Sequence, residues 1–293
     1  MTAELVRALV QGVLTGGIYA LMAAGLTLLF GVLDIINVAA GILVVLGAYG
    51  SMMLLQDAGI NIFIGLLVTV PAMCLLGAFI DVAFIRRLGQ YNRVTMSVMV
   101  TYAVAIIIEG ILALHFGTNY QTINTPLALD SFHLFGIYVA QIYVYGFLLA
   151  VVCLGLLGLG LFRTRIGRSI RAVMDNGLAA ELVGIDVRRV ATITFAIGIG
   201  VTAVGGMVFG SIQPFTPNTG YDLISRLLSL VVLGGLGSVG GAMAGALIML
   251  VAEDVVAVVW APTWAPVLYF VVLALVILLR PQGLFGSKDV RAQ

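Results

Sequence analysis

The sequence predicts an all-α polytopic integral membrane protein of about eight or nine transmembrane or broken helices, with one short helix on the cytoplasmic side. Three observations predict it. Of the 293 residues, 62% are hydrophobic and only 9% are charged, against roughly 25% charged in soluble domains, and mean hydropathy is +1.18. Apolar runs of about 20 residues, the length that crosses a bilayer, recur along the chain. The arginines gather in a few polar stretches between those runs, the pattern that marks cytoplasmic loops. One transmembrane domain over 1–293 accounts for the whole sequence.

The first apolar run, 7–32, follows Glu4 and Arg7. It is too long for a signal-peptide core and lacks a small-residue cleavage pattern, so it reads as a retained span. Further runs lie at 37–56, 60–85, 94–116, 138–162, 190–212, 223–238, 240–260 and 264–280. Arg86, Arg87 and Arg93, the six arginines of 163–189, and the tail with Lys288 and Arg291 belong in the cytoplasm. Three full early crossings put the N-terminus outside. The stretch 117–137 is rich in Thr and Asn, contains Pro126 and has no Lys or Arg; it reads as the main external loop.

The chain has 36 glycines, many three or four residues apart: Gly12 with Gly16, Gly206 with Gly210, Gly241 with Gly245. Small residues at that spacing let helices approach closely in lipid. Two places differ. At Gly31–Gly41, which includes Asn37, and at Gly234–Gly241, which includes Gly235, Gly237 and Ser238, glycine and polar residues interrupt spanning runs, and a similar small-residue helix follows each. Broken helices in corresponding halves point to a transport path, because freed backbone groups at membrane depth must be buried in protein or line water. Tight turns between ordinary spans are the other reading.

Several chemistries are excluded or disfavoured. The run Gly235-Leu-Gly237-Ser238-Val-Gly240 matches GxGxxG, but that fingerprint has meaning only after a strand opening a βαβ unit, and here it lies between apolar helices. No phosphate-binding GxxxxGK[ST] sequence occurs, so any ATP that drives this protein is hydrolysed on another chain. Cys74 and Cys153 sit in apolar runs without CxxC spacing, and His115 and His133 are far apart in sequence; neither pair suggests a metal or redox site. A net charge of +1, with arginines flanking spans, argues against a nucleic-acid partner. No catalytic residue and no cofactor is expected.

The polar island 163–189 can be read in detail. Asn176 is an N-cap for a short helix over the following residues, Gly184 a C′ stop, and Asp186 the cap of the next span. Ala180 and Gly184, four apart, would give that helix a small face for close contact with another protein, rimmed by Glu181 and the arginines.

The run Gly167-Arg168-Ser-Ile-Arg171-Ala172, then Asn176, Ala179-Ala180 and Gly184-Ile185-Asp186, resembles the cytoplasmic coupling segment of LivH-type permeases of branched-chain amino acid ABC importers. Ile36-Asn37 with Gly41 is similar to that family's Ile-Asn-Phe-Ala-His-Gly, with Ala40 standing in the place of its His. Ile212-Gln213-Pro214, Val232-Leu233-Gly234-Gly235-Leu236-Gly237-Ser238 and Pro281-Gln282-Gly283-Leu284-Phe285-Gly286 resemble its second-half and C-terminal signatures. In the coupling segment Gly177 and Leu178 replace the family's usual Pro and Glu. The resemblance implies a coupling helix within 163–189, two cytoplasmic ATPase subunits, a second permease that is related or identical, and an external solute-binding protein, all at a bacterial inner membrane. It makes Arg168, Arg171, Asn176, Ala179, Ala180, Glu181 and Gly184 candidates for ATPase coupling. Asn37, Gly41, Arg226, Gly235, Gly237 and Ser238 are the candidates for the translocation path. Branched-chain amino acids are the implied solute; urea, short amides or another small organic solute are the alternatives.

Ionisable residues in the spans complete the site candidates, since a charge there needs a partner or water. Arg226 would attract a solute carboxylate, snorkel to headgroups or pair with Asp222 four residues earlier. Glu253 and Asp254 read as interfacial, and Glu109 as bound to a neighbouring helix. A secondary carrier or channel is the competing class, but both breaks lack deep ionisable residues for proton coupling. A membrane enzyme lacks a His/Asp/Glu cluster.

Overall fold

The computed structural model describes residues 2–89, 92–134, 137–280 and 283–285. Its helices are α1 (Thr2–Leu33), α2 (Ala40–Gln56), α3 (Ile62–Ala83), α4 (Arg93–Phe116), α5 (Pro126–Leu129), α6 (Gln141–Arg163), α7 (Arg165–Leu182), α8 (Val187–Ile212), α9 (Thr219–Gly234), α10 (Val239–Val259) and α11 (Ala265–Leu279). Each of the nine apolar runs becomes one helix, because every run buries its backbone groups in its own hydrogen bonds, as lipid requires. Two expectations need correction. The island 163–189 is mostly helical: Thr164 accepts from the Gly167 amide at 2.9 Å and starts a helix that continues to Leu182. The external loop 117–137 ends in an antiparallel hairpin, β1 (Ser131–Leu134) with β2 (Ile137–Ala140), and its Gln121 bridges to Phe215 in the α8–α9 link.

At the centre stand α1 and α8, buried along most of their lengths. Antiparallel α10 packs on α1, and α3 and α2 pack on α8. Glycine makes these seams close: a Cβ at Gly12 would stand 2.7 Å from the Val251 Cα, and one at Gly25 would stand 2.8 Å from the Gly198 carbonyl oxygen. Around this core, α3, α4, α6 and α11 turn outward side chains such as Leu75, Leu114, Leu156 and Leu278, which suit a hydrocarbon surround.

Seven helices among the described residues are long and apolar enough to cross a membrane. The other two apolar helices are shorter: α2 has 17 residues and α9 has 16, about 26 and 24 Å against a hydrocarbon core of about 30 Å. Their first turns meet. A Cβ at Gly41 would collide with the Gly220 carbonyl, and one at Gly220 would stand 2.9 Å from the Ile42 Cα. Beside this crossing lie Ala105, at the middle of α4, and Glu109, two turns from its outer end. From there α2 runs to the end where Tyr49 stacks on Phe116 and meets Phe215 edge-on. Helix α9 runs the other way. Gly41→Leu is therefore expected to lower stability by about 1–3 kcal/mol through forced overpacking, measurable as earlier thermal unfolding of the purified protein in lipid discs.

Candidate functional site

Alternation of the helices gathers Arg86, Arg87, Arg93, Arg163, Arg165, Arg168, Arg171, Arg188, Arg189 and Arg280 at one end, which the positive-inside rule makes cytoplasmic. Both chain breaks lie toward that end. The first, 34–39, begins at Asp34 with φ +51; the second, 235–238, holds Gly235 at φ +100 and Gly237 at φ +85. In that left-handed region only glycine is free of a Cβ penalty. The last turn of α1, just before the first break, lies against the second: a Cβ at Gly237 would stand 3.8 Å from the Gly31 Cα, and one at Gly31 would meet the Met174 Cε of α7 at 2.5 Å. Ser238 caps α10 by accepting from the Gly241 amide at 3.1 Å.

The other predicted path residues in the breaks are tightly packed. Asn37 is buried; its Oδ1 accepts from the Ala39 amide at 3.1 Å, and its Nδ2 has no partner among the described residues. The next amide, Val38, donates to Thr101 of α4 at 3.1 Å. Gly41 serves the α2–α9 crossing. Over the second break fold Gly283, Leu284 and Phe285: the Leu284 amide donates to the Leu233 carbonyl at 2.8 Å, and a Cβ at Gly283 would lie 2.5 Å from the Gly235 Cα. Pro281, Gln282, Gly286, Lys288 and Arg291 lie outside the described residues, as does the side chain of His133.

At the external end opens a cavity of about 450 Å³, lined by Tyr19, Thr118, Tyr120, Gln213, Thr216, Asn218, Asp222 and Arg226 among others. Its floor is the start of α9, and Phe209, Pro214 and Leu223 supply apolar wall. Arg226 does not pair with Asp222. Its Nη1 lies 3.1 Å from Glu253 Oε1, the other oxygen of Glu253 accepts from the Tyr269 hydroxyl at 2.7 Å, and the guanidinium stands over the Tyr269 ring at 5.4 Å. Glu253 is thus buried between α9, α10 and α11 instead of interfacial. Sequence spacing allowed the i,i+4 pair, but leaving a carboxylate at the Glu253 position unpaired in the bilayer costs more than leaving Asp222 in a wet cavity. Asp222 makes no hydrogen bond or ion pair among the described residues. Glu109 has the helix partner expected of it, accepting from the Tyr221 hydroxyl at 2.6 Å. Sequence reasoning passed over Asp81, which is buried on α3, accepts from Thr192 of α8 at 2.6 Å and lies 3.9 Å from Arg86. Arg86 five residues on was the available signal.

The coupling candidates lie on α7. The helix is interrupted at Asn176 (φ −157°, ψ 102°), whose Oδ1 accepts from the Ala179 amide at 3.0 Å, so Asn176 is the cap the sequence indicated. Gly184 (φ +86) ends the second segment, with Ile185 donating to the Ala180 carbonyl at 3.0 Å and Gly184 to Glu181 at 3.0 Å, the bonding of a Schellman stop. Asp186 caps α8 through the Arg189 amide at 3.1 Å. One placement differs from expectation: Ala180 is buried within the chain, so Ala180 and Gly184 form no open small-residue face. The outward face carries Ala179, Glu181 and the apolar Leu178, Leu182 and Val183, which are 74, 83 and 78% exposed. Arg168 is exposed, while Arg171 lies over the Phe162 ring at 4.8 Å.

A buried core of tightly seamed helices, two facing breaks and an external cavity define a multi-pass membrane permease. Residues 8–278 match the family described as branched-chain amino acid transport system / permease component, and the chain belongs to that family. It is 29% identical over 300 residues to the high-affinity branched-chain amino acid transport system permease protein BraD of Pseudomonas aeruginosa, covering 96% of each chain. It is also 29% identical over 298 residues to LivH of Escherichia coli K12, a permease protein of the same description, covering 96% of this chain and 95% of that one. Among solved structures, PsaBC from Streptococcus pneumoniae in complex with Fab shares the fold, with a TM-score of 0.52 at 12% identity over 96% of this chain and 97% of that chain. The protein is an ABC importer permease component and is itself no enzyme.

Proposed function

We propose that this chain is a membrane-spanning subunit of a binding-protein-dependent ABC importer for branched-chain amino acids, acting at the bacterial inner membrane. Two cytoplasmic ATPases, a second permease chain, related or identical, and an external solute-binding protein complete the assembly. The chain works as a single permease domain, with 163–189 as its coupling loop and 117–137 as its main external loop. Likeness to branched-chain amino acid permeases over 96% of the chain supports the solute class.

The observation that carries the mechanism is the contact of Met174 with Gly31 beside Gly237. A partner that grips the outward face of α7 thereby reaches, through one side chain, the last turn of α1 where it leads into the first break and packs on the second. ATP binding alternates access only if it favours one arrangement of those breaks over the other, and α7 is the element on which that preference acts. Arg168, Asn176, Ala179, Glu181 and Gly184 sit on or beside the docking surface; Arg171 and Ala180 support α7 from within.

The external cavity fits the solute. Asp222 offers a carboxylate for an ammonium group, Arg226 a guanidinium with donors beyond those facing Glu253, and Phe209, Pro214 and Leu223 an apolar wall for a branched side chain. ATP-dependent uptake of leucine, isoleucine and valine is expected in proteoliposomes that hold this chain with its second permease, ATPases and binding protein. ATP-dependent uptake of urea alone would keep the mechanism and overturn the solute.

A further inference from the structure

Membrane depth sets a strict rule: polar and ionisable side chains there face protein or water, because lipid offers them no partner. Most of the outward surface obeys it with apolar residues. At mid-depth α3 shows Leu75, α6 shows Leu156 and α11 shows Val271 and Leu275. One strip does not. Where Tyr221 of α9 reaches across to α4, the outward positions include Tyr102 and Glu109 on α4 and Tyr221, Asp222 and Ser225 on α9. Tyr102 and Tyr221 are 46 and 38% exposed with ring centroids 6.5 Å apart, and the Glu109–Tyr221 hydrogen bond lies at the surface.

Depth is fixed by the packing. Glu109 and Ala105 stand beside the Gly41–Gly220 crossing, far from the arginines at the cytoplasmic end of α4 and below the external hairpin. At its upper end the strip is continuous with the external cavity, since Asp222 belongs to both. Ser225 lies one turn further into the membrane, its hydroxyl satisfied by the Tyr221 carbonyl at 2.9 Å.

From this juxtaposition we infer that the α4–α9 strip of Tyr102, Glu109, Tyr221, Asp222 and Ser225 lines the water-filled solute path, and that the second permease chain walls its other side. The inference rests on the reading of this chain as a permease subunit and adds where the path runs. A carboxylate two turns inside the outer end of a span, turned outward and joined to a tyrosine, is costly in hydrocarbon and ordinary beside water. The same strip gives the path two carboxylates, Glu109 and Asp222, suited to the ammonium end of an amino acid.

The test is thiol accessibility in proteoliposomes holding the whole importer, with Cys74 and Cys153 replaced by Ala. The cysteine thiolate, which forms in water and not in lipid, attacks the sulfenyl sulfur of a methanethiosulfonate, forming a mixed disulfide and releasing methanesulfinate. Ser225→Cys is expected to react with a charged, membrane-impermeant methanethiosulfonate on the order of tenfold or more faster than Leu75→Cys, the lipid-facing control at similar depth. Tyr102→Cys is the second variant if Ser225→Cys does not assemble, and it should behave alike. Leucine added without ATP should slow the reaction. Reactivity as low as that of Leu75→Cys in the assembled importer overturns the path assignment. Leucine uptake by cysteine-free particles scores the permease reading separately, so a silent Ser225→Cys in particles that import leucine rejects the strip alone.

Discussion

Replacing Glu253 with Leu is expected to cost about 3–5 kcal/mol of stability, the penalty for stranding one member of a buried ion pair. The partner left behind is Arg226, whose guanidinium is held 3.1 Å from Glu253, beside Tyr269 and the Tyr19 wall of the external cavity. Arg226→Leu alone should cost at least as much, since it strands the more deeply buried Glu253 carboxylate with only the Tyr269 hydroxyl at 2.7 Å, whereas Arg226 is partly open to the cavity. The double variant should recover much of the loss, because two apolar side chains of similar volume replace a pair whose desolvation nearly cancels its attraction. Thermal unfolding of the complex in lipid discs reads all three. If the double variant is as unstable as Glu253→Leu, the pair is not the source of the stability. Transport need not recover with stability: a double variant that folds but imports leucine poorly would assign Arg226 to the solute.

The second large effect is expected on the cytoplasmic side. Leu182→Asp puts a carboxylate in the most exposed apolar position of α7, 83% open in the free chain, where a docking ATPase must remove water. Burying an unpaired charge in such a contact costs at least about 2 kcal/mol, or roughly thirtyfold in affinity. ATPase should be lost from the purified complex and uptake should fall by at least tenfold, while thermal stability of the permease is unchanged. Leu178→Asp, also outward, should act in the same direction. Retention of the ATPase by both variants would move the contact elsewhere. Gly184 is a poorer place to probe docking: at φ +86 any side chain strains the helix stop as well as the interface.

Much of the site was legible because single residues announce backbone geometry. Asn176, Gly184 and Asp186 were recognisable as cap, stop and cap, since each role depends on one side chain, or its absence, acting on neighbouring amides. The first helical segment of α7 was missed. It is amphipathic and rich in arginine, and such a run is helical only because Gly167, Ile170 and Val173 find a surface to bury against. Ala180 was misplaced for a related reason: spacing shows which residues share a helix face, but not whether that face turns inward or outward.

Local sequence was enough for the membrane class, the nine apolar runs, the cytoplasmic end and the two breaks. These follow from local quantities: run length against bilayer thickness, arginine clustering, and glycine where the backbone turns through positive φ. It took the packed helices to show that the last turn of α1 meets both Met174 and the second break, that Arg226 pairs with Glu253 on the next helix instead of Asp222 on its own, and that the short helices α2 and α9 meet by their first turns. Those are contacts between segments distant in the chain. In lipid they are chosen by close backbone approach and by the need of each buried charge for a partner, and neither condition can be read until the helices are placed side by side.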